Sequence, residues 1–240
     1  MSKERVSQSG DLDLYHLALP PTRADWVEQQ LRRDILFGTF APGERLLASD
    51  LTRRYAVSLT PLREALQRLA TDGLLTMTPQ RGVKVTPLSL RNAQEIYELR
   101  CILEPLALRK SLAKVDDAWR EQVRLTYARI TEITDDEHHE LVDAEEANRA
   151  FHQALLSRCD SRWLLNLTTM LSDHCIRYRF LSYVRRGGRE GIQDEHRAIY
   201  EASLRGDSNT AAEAMEYHIR NTLESLLPLL QSSAQEVQEE

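Results

Sequence analysis

The sequence predicts a mainly α chain in two parts, an N-terminal winged helix-turn-helix followed by an all-α antiparallel bundle of about six helices. Three observations carry this. Ala41 to Val85 reads as a helix, a tight turn, a second helix and a two-stranded wing in succession. From Leu90 onward the apolar residues keep a helical period and no strand pattern occurs. Charge is also split: residues 23–87 hold ten basic against seven acidic side chains, a balance of +3 in a chain of net charge −6, which leaves −9 elsewhere. A positive module joined to an acidic one is expected where only the first meets phosphate.

The expected boundaries are a flexible arm over residues 1–22, the winged part over 23–87, the helical part over 88–232 and a polar tail over 233–240. Ala24 to Phe37 is amphipathic, with Trp26, Val27, Leu31, Ile35 and Leu36 on its apolar side and Gly38 near its end. Leu46, Leu47 and Leu51 provide the buried side of the next helix, and Ala56-Val57-Ser58 is short enough for the turn of a helix-turn-helix. Thr60 suits an N-cap and Pro61 the first helical position. Leu62, Ala65, Leu66 and Leu69 then form one apolar stripe, while Thr60, Arg63 and Gln67 project from the opposite face with Arg68 alongside.

Asp72-Gly73 ends that helix. Leu74 to Thr78 and Val83 to Thr86 are the strands of the wing, with Pro79-Gln80-Arg81-Gly82 as its turn. Polar and basic residues so placed suit phosphates and base edges in a major groove. The candidate DNA contacts are Arg32, Ser49, Ser58, Thr60, Arg63, Gln67, Arg81 and Gly82.

Pro87 and Ser89 mark the boundary with the helical part. Helices are expected over 90–114, 117–133, 137–158, 162–184, 191–205 and 208–231, broken at polar or glycine pairs such as Asp116-Asp117, Asp160-Ser161, Gly187-Gly188 and Gly206-Asp207. Asn148 and His152 are four apart and leave one helix face together, and His196 and His218 fall in two later helices beside apolar positions. Three imidazoles and an oxygen donor suit Zn²⁺ or a similar ion, although any one of these histidines alone reads as a hydrogen-bonded structural side chain.

The opening MSKERVSQSGDLDLYH lacks the apolar core of a signal peptide, and no apolar run approaches the roughly 20 residues that span a bilayer. Cys101, Cys159 and Cys175 are widely separated and odd in number, which fits reduced thiols in a cytoplasmic protein.

PGERLLASDLTRRYAVSLTPLREALQRLATDGLL resembles the winged-helix signature of the GntR-type transcriptional regulators, a likeness running from Leu31 to Gly82. Members usually carry an arginine between the Ser and Thr of this turn; Leu59 stands there, so the resemblance transfers no target sequence. A second resemblance covers Leu88 to about Leu230, where NRAFH, EHRAIYEASLRGD and AAEAMEYHI are similar to the metal-bearing segments of the helical (FCD) effector domain in the FadR branch.

What the resemblance implies is a homodimer that binds inverted-repeat DNA, more often as a repressor, and answers to a small organic acid. It also implies a divalent metal, zinc first and nickel or manganese next, on Asn148, His152, His196 and His218. The family usually has aspartate where Asn148 stands, and a neutral amide should weaken the site; branch members that bind fatty acyl thioesters use no metal. Arg100 matches the family's R-x-x-L-E pattern and is the expected reader of the acid, with Arg177 or Arg179 as a second and His174 near the cavity. Arg100 also has the spacing for an ion pair with Glu104. Two other functions compete, a metal-dependent enzyme in the bundle and an effector-less architectural DNA binder. The sequence has no HExxH, nucleophile elbow or phosphate loop, so no enzyme is expected.

Overall fold

The computed structural model describes residues 22–78, 82–135, 140–186 and 191–236, and among these it shows nine α-helices and one small sheet. The N-terminal part holds α1 (Arg23–Leu36), β1 (Arg45–Leu46), α2 (Ala48–Arg54), α3 (Leu59–Thr71), β2 (Leu75–Thr78) and β3 (Gly82–Val85). A capping box starts α1: the Thr22 hydroxyl accepts from the Asp25 N–H at 3.1 Å and the Asp25 carboxylate from the Thr22 N–H at 2.9 Å. Val27, Leu31 and Ile35 of α1 pack against Leu62, Ala65, Leu66 and Leu69 of α3, with Leu51, Leu74 and Val85 closing the core. On the polar side, Arg68 of α3 reaches Asp25 at 2.6 Å and Glu28 at 3.2 Å, so it ties the two helices together.

The sheet has three strands in the order β1-β3-β2, all antiparallel. This corrects the two-stranded wing and the reading of Leu46 and Leu47 as helical. Leu46 lies on β1 opposite Val83, and Leu47 precedes α2 with half its surface exposed, so α2 buries only Leu51. The start of α3 also shifts. Ser58 holds the N-cap position and Leu59 is the first helical residue, which moves Pro61 to the third position, where its missing N–H still breaks no helical bond.

The helical part comprises α4 (Leu90–Leu112), α5 (Asp117–Asp135), α6 (Leu141–Leu156), α7 (Arg162–Arg186), α8 (Ile192–Arg205) and α9 (Ser208–Glu236). Ser89 caps α4, its hydroxyl accepting from the Asn92 N–H at 3.1 Å. Tyr97, Leu108, Trp119, Phe151, Leu155, Tyr178 and Ile199 fill the centre of the bundle. Cys101, Cys159 and Cys175 are free thiols. No helix among the described residues is long and apolar enough to cross a membrane.

The two parts meet along α7. Its Ile176 is 1% exposed and belongs to the core of the winged part, and its Phe180 stacks edge-on against Phe37 with centroids 6.5 Å apart. Gly38, just past α1, permits this approach: its φ is +76°, and a Cβ there would stand 2.8 Å from the Phe180 ring. Gly43 has φ +83° with nothing within 4 Å of a Cβ. Both alanine substitutions strain the backbone by about 1–2 kcal/mol, but only Gly38→Ala must also push α7 away. Chemical denaturation should therefore show Gly38→Ala as the more destabilised of the two; equal losses would mean that the contact with Phe180 contributes nothing.

Candidate functional site

The helix-turn-helix presents its polar face outward. Ser49, Ser58, Thr60, Arg63 and Gln67 are all exposed, as is Gly82 at the start of β3, while Arg81 lies outside the described residues. Arg63 has no ion pair among the described residues. Arg45 and Lys84 pair directly across β1 and β3 and both are exposed. Like charges facing one another across strands destabilise a sheet, so this pair adds nothing to the stability of the wing. Neither residue was singled out from sequence, because their juxtaposition depends on β1 joining the wing. Leu59 is 41% exposed at the first turn of α3.

Arg32 does not face outward with them. Its guanidinium pairs with Glu28 at 3.0 Å and Asp173 of α7 at 3.3 Å, and forms a short contact with Asp72, the C-cap of α3. A residue so held belongs to the junction between the two parts, and its partner 141 positions away could not be read from local sequence.

In the bundle, His152 of α6, His196 of α8 and His218 of α9 converge although 44 and 22 residues separate them along the chain. They are 6%, 3% and 5% exposed, and one ligand atom from each lies within 4.8 Å of the others. A tetrahedral zinc with bonds of about 2.0–2.1 Å requires nitrogens about 3.3 Å apart, so small side-chain rotations close the set. His218 Nδ1 stands 2.9 Å from Glu195 Oε2. The carboxylate accepts, so Nδ1 holds the proton and Nε2 is the nitrogen that would ligate a metal. His152 Nε2 is buried and has no hydrogen bond among the described residues, and its Nδ1 stands 3.5 Å from Glu104 Oε2. A buried imidazole nitrogen without a hydrogen bond is what a metal ligand looks like before its ion is considered. The residues fit a divalent ion on these grounds. Asn148 is one turn before His152 and half-buried.

Arg100 adopts the ion-pair alternative, with Nε 2.5 Å from Glu104 Oε1 and both side chains buried. Burial would raise the Glu104 pKa, but Arg100 and His152 outweigh that and hold its carboxyl well below the usual carboxylate range. The run Arg100–Glu104–His152 thus orients an imidazole through a carboxylate. Arg179 makes a bidentate buried pair with Glu145 at 2.7 and 2.9 Å. His174 and Arg177, expected near the cavity, are instead at the junction. His174 Nε2 donates to the Asp72 carbonyl at 2.7 Å, and burial pushes its pKa below the ordinary imidazole value, which keeps it neutral. Arg177 donates to the Thr86 carbonyl and borders an apolar cavity of about 200 Å³ with Leu36, Leu88 and Phe180.

Beside His152 lies a cavity of about 190 Å³, lined also by Glu104, Leu156, Leu165, Thr168 and Arg149 among others. At about 30 Å³ per water this volume holds roughly six waters, so it suits a small metabolite. Arg149 is the cavity's one positive side chain among the described lining residues, and it was missed because the sequence reading of NRAFH weighed only Asn148 and His152.

The GntR family of bacterial regulatory proteins matches residues 23–85, and the FCD domain matches residues 95–221, more than half of the chain. The chain belongs to the GntR family and carries an FCD domain. Among its relatives, the uncharacterised HTH-type transcriptional regulator BphR of Paraburkholderia xenovorans (strain LB400) is 35% identical over 199 residues, covering 81% of each chain. The HTH-type transcriptional repressor GlaR of Escherichia coli (strain K12) is 33% identical over 197 residues, covering 79% of this chain and 89% of GlaR. The fold is shared with E. coli McbR/YncC, at a TM-score of 0.76 and 18% identity over 87% of this chain and 98% of that one. A putative GntR regulator from Rhodococcus sp. RHA1 has a TM-score of 0.73 at 24% identity, over 86% and 98%. BphR is named as an HTH-type transcriptional regulator and GlaR as a transcriptional repressor; with them, this chain is a DNA-binding transcriptional regulator of the GntR family and not an enzyme.

If Glu195 orients His218, Glu195→Gln should weaken zinc binding by about 10–100-fold and His218→Ala should weaken it further, as measured by calorimetry at neutral pH. Zinc affinity equal to that of the parent in both variants would mean that the three imidazoles do not form a site.

Proposed function

We propose that the chain is a ligand-responsive repressor that acts in the cytoplasm as a homodimer. Its FCD cavity binds a small carboxylate beside a divalent ion, and its two winged helices bind an inverted-repeat operator. The observation that carries this reading is the convergence of three buried imidazoles, one of which lines a cavity, in a domain joined to a helix-turn-helix whose exposed Arg63 has no ion pair among the described residues. Zinc is the first choice of ion, because three imidazole donors suit it. When bound, the ion supplies positive charge toward which a ligand carboxylate is drawn. Arg149 offers that carboxylate hydrogen bonds at the cavity wall, Arg100 and Glu104 hold His152 in orientation, and Glu195 does the same for His218. Asn148, where the family usually has aspartate, leaves more of the ion's charge for the ligand.

Dimerisation is supported by the surface. Leu99, Ile102 and Leu106 follow one face of α4 at helical spacing and are 48%, 64% and 43% exposed, and Tyr217 of α9, the helix packed on α4, is exposed as well. An apolar stripe of this kind suits a second copy, and two-fold pairing would place two α3 helices on half-sites of a palindrome. On the DNA side, Arg63 and Gln67 are the base readers, and Arg45 and Lys84 are phosphate contacts.

The reading is tested with a DNA fragment selected by the protein from a random-sequence pool, using fluorescence anisotropy across a salt series. Arg63→Ala should weaken specific binding by about 1–3 kcal/mol. Leu59→Arg should add one phosphate contact and steepen the salt dependence by about 0.9 in log–log slope. Selection of single asymmetric half-sites, or affinity indifferent to salt, would contradict it.

A further inference from the structure

Arg149 belongs to two cavities. It lines the one beside His152, and together with Arg32, Arg33 and Ile176 it lines a second of about 270 Å³ between α1 and the bundle. Its Nη2 lies 3.1 Å from Asp173 Oδ1 in an ion pair without hydrogen-bond geometry, so neither that buried oxygen nor any guanidinium nitrogen of Arg149 has a hydrogen bond among the described residues. The other oxygen of Asp173 lies 3.3 Å from Arg32. Arg32 in turn holds Asp72, the C-cap of α3, and Glu28, which Arg68 of α3 also contacts at 3.2 Å. Asp173 is 4% exposed, and burial pushes its pKa up against the pull of Arg149 and Arg32. One buried carboxylate of α7 therefore stands between the cavity and the end of the recognition helix, shared by Arg149 of the bundle and Arg32 of the winged part.

We propose that Arg149 reads the ligand's carboxylate and that, in doing so, it gives up Asp173, which then draws Arg32 away from Asp72 and loosens the anchorage of α3. This deepens the proposed function and rests on its claim that the cavity takes a small acid. A ligand carboxylate can engage the planar guanidinium fork through two hydrogen bonds, whereas Asp173 faces one nitrogen in an ion pair without a hydrogen bond, so the exchange favours the ligand. Asp173 cannot stay buried with its pairing halved without cost, and Arg32 is the cation in reach. Arg32 has three carboxylates around it and can shift its weight from Asp72 and Glu28 toward Asp173 without becoming unpaired. Acid bound on one side of α7 is thereby converted into a change on the other.

The test uses the full chain, zinc, and a panel of acetate, lactate, succinate and citrate, with thermal shift for ligand binding and anisotropy for DNA. The parent should be stabilised by at least one of these acids, and that acid should lower its DNA affinity by about 5- to 150-fold, the usual range of coupling between sites. Arg149→Ala should lose the acid's effect while keeping the shift caused by zinc. Asp173→Asn removes the competitor, so it should bind the acid at least about fivefold more tightly, yet its DNA affinity should no longer respond. Arg32→Gln approaches from the other side and should keep the acid and lose the response, which keeps the test open if Asp173→Asn does not fold. No stabilisation of the parent by any of the four acids would overturn the carboxylate reading and this inference with it. Acid binding that persists in Arg149→Ala, or a DNA response that survives in both junction variants, would overturn the inference alone.

Discussion

Ile176 sits in the core of the winged part although its helix belongs to the bundle, and most of what is distinctive in this chain follows from that sharing. A helix that contributes to two cores cannot move against one without disturbing the other, because packed side chains have few alternative arrangements. The face of α7 that carries Asp173, His174, Ile176, Arg177 and Phe180 meets the winged part, and four of these five make a named polar or aromatic contact across the junction. The same helix walls the cavity beside His152 through Leu165 and Thr168. Recognition helix, junction and cavity are therefore arranged around one rigid element.

The charges follow the same division. Inside the winged part, Arg32, Arg53, Arg54 and Arg68 are paired with Asp and Glu side chains and Arg33 with Glu146 of the bundle, so that Arg23, Arg45, Arg63 and Lys84 are the exposed cations without an ion pair among the described residues. The basic residues counted from composition are thus of two kinds, those that hold the domain together and those available to phosphate. In the bundle every buried arginine that faces a carboxylate has a designated one, Glu104 for Arg100 and Glu145 for Arg179. These pairs fix geometry rather than supply stability, since a buried ion pair does little more than offset its own desolvation.

Most of the fold was legible because it is written in local periodicity. The stripe of Leu62, Ala65, Leu66 and Leu69 and the apolar run of α1 read correctly as helices, and six helices follow Leu90 as the breaks at Asp116, Asp160 and Gly206 imply. The errors arose where tertiary pairing overrides local pattern. Leu46 resembles the start of an amphipathic helix until the wing recruits it as a third strand. At the candidate site the three histidines could be named from sequence because each lies beside apolar positions and within a family motif. Their partners could not: Glu195 and Glu104 reach imidazoles on other helices, and nothing near Asp173 in the sequence indicates Arg32 or Arg149. Arg177 and His174 lie at the junction because their helix presents one face to the cavity and another to the winged part, a distinction that spacing alone does not make.

The central claim is that occupation of the bundle reaches the recognition helix through the α7 junction. Hydrogen exchange measured by mass spectrometry on the parent chain, free of DNA, tests it most directly, because amide protection reports local opening without reference to any variant. With zinc and a stabilising acid present, the account requires faster exchange at the C-terminal end of α3 and along α1 around Arg32, together with slower exchange around the three histidines. Slower exchange around the histidines with α1 and α3 unchanged would contradict it.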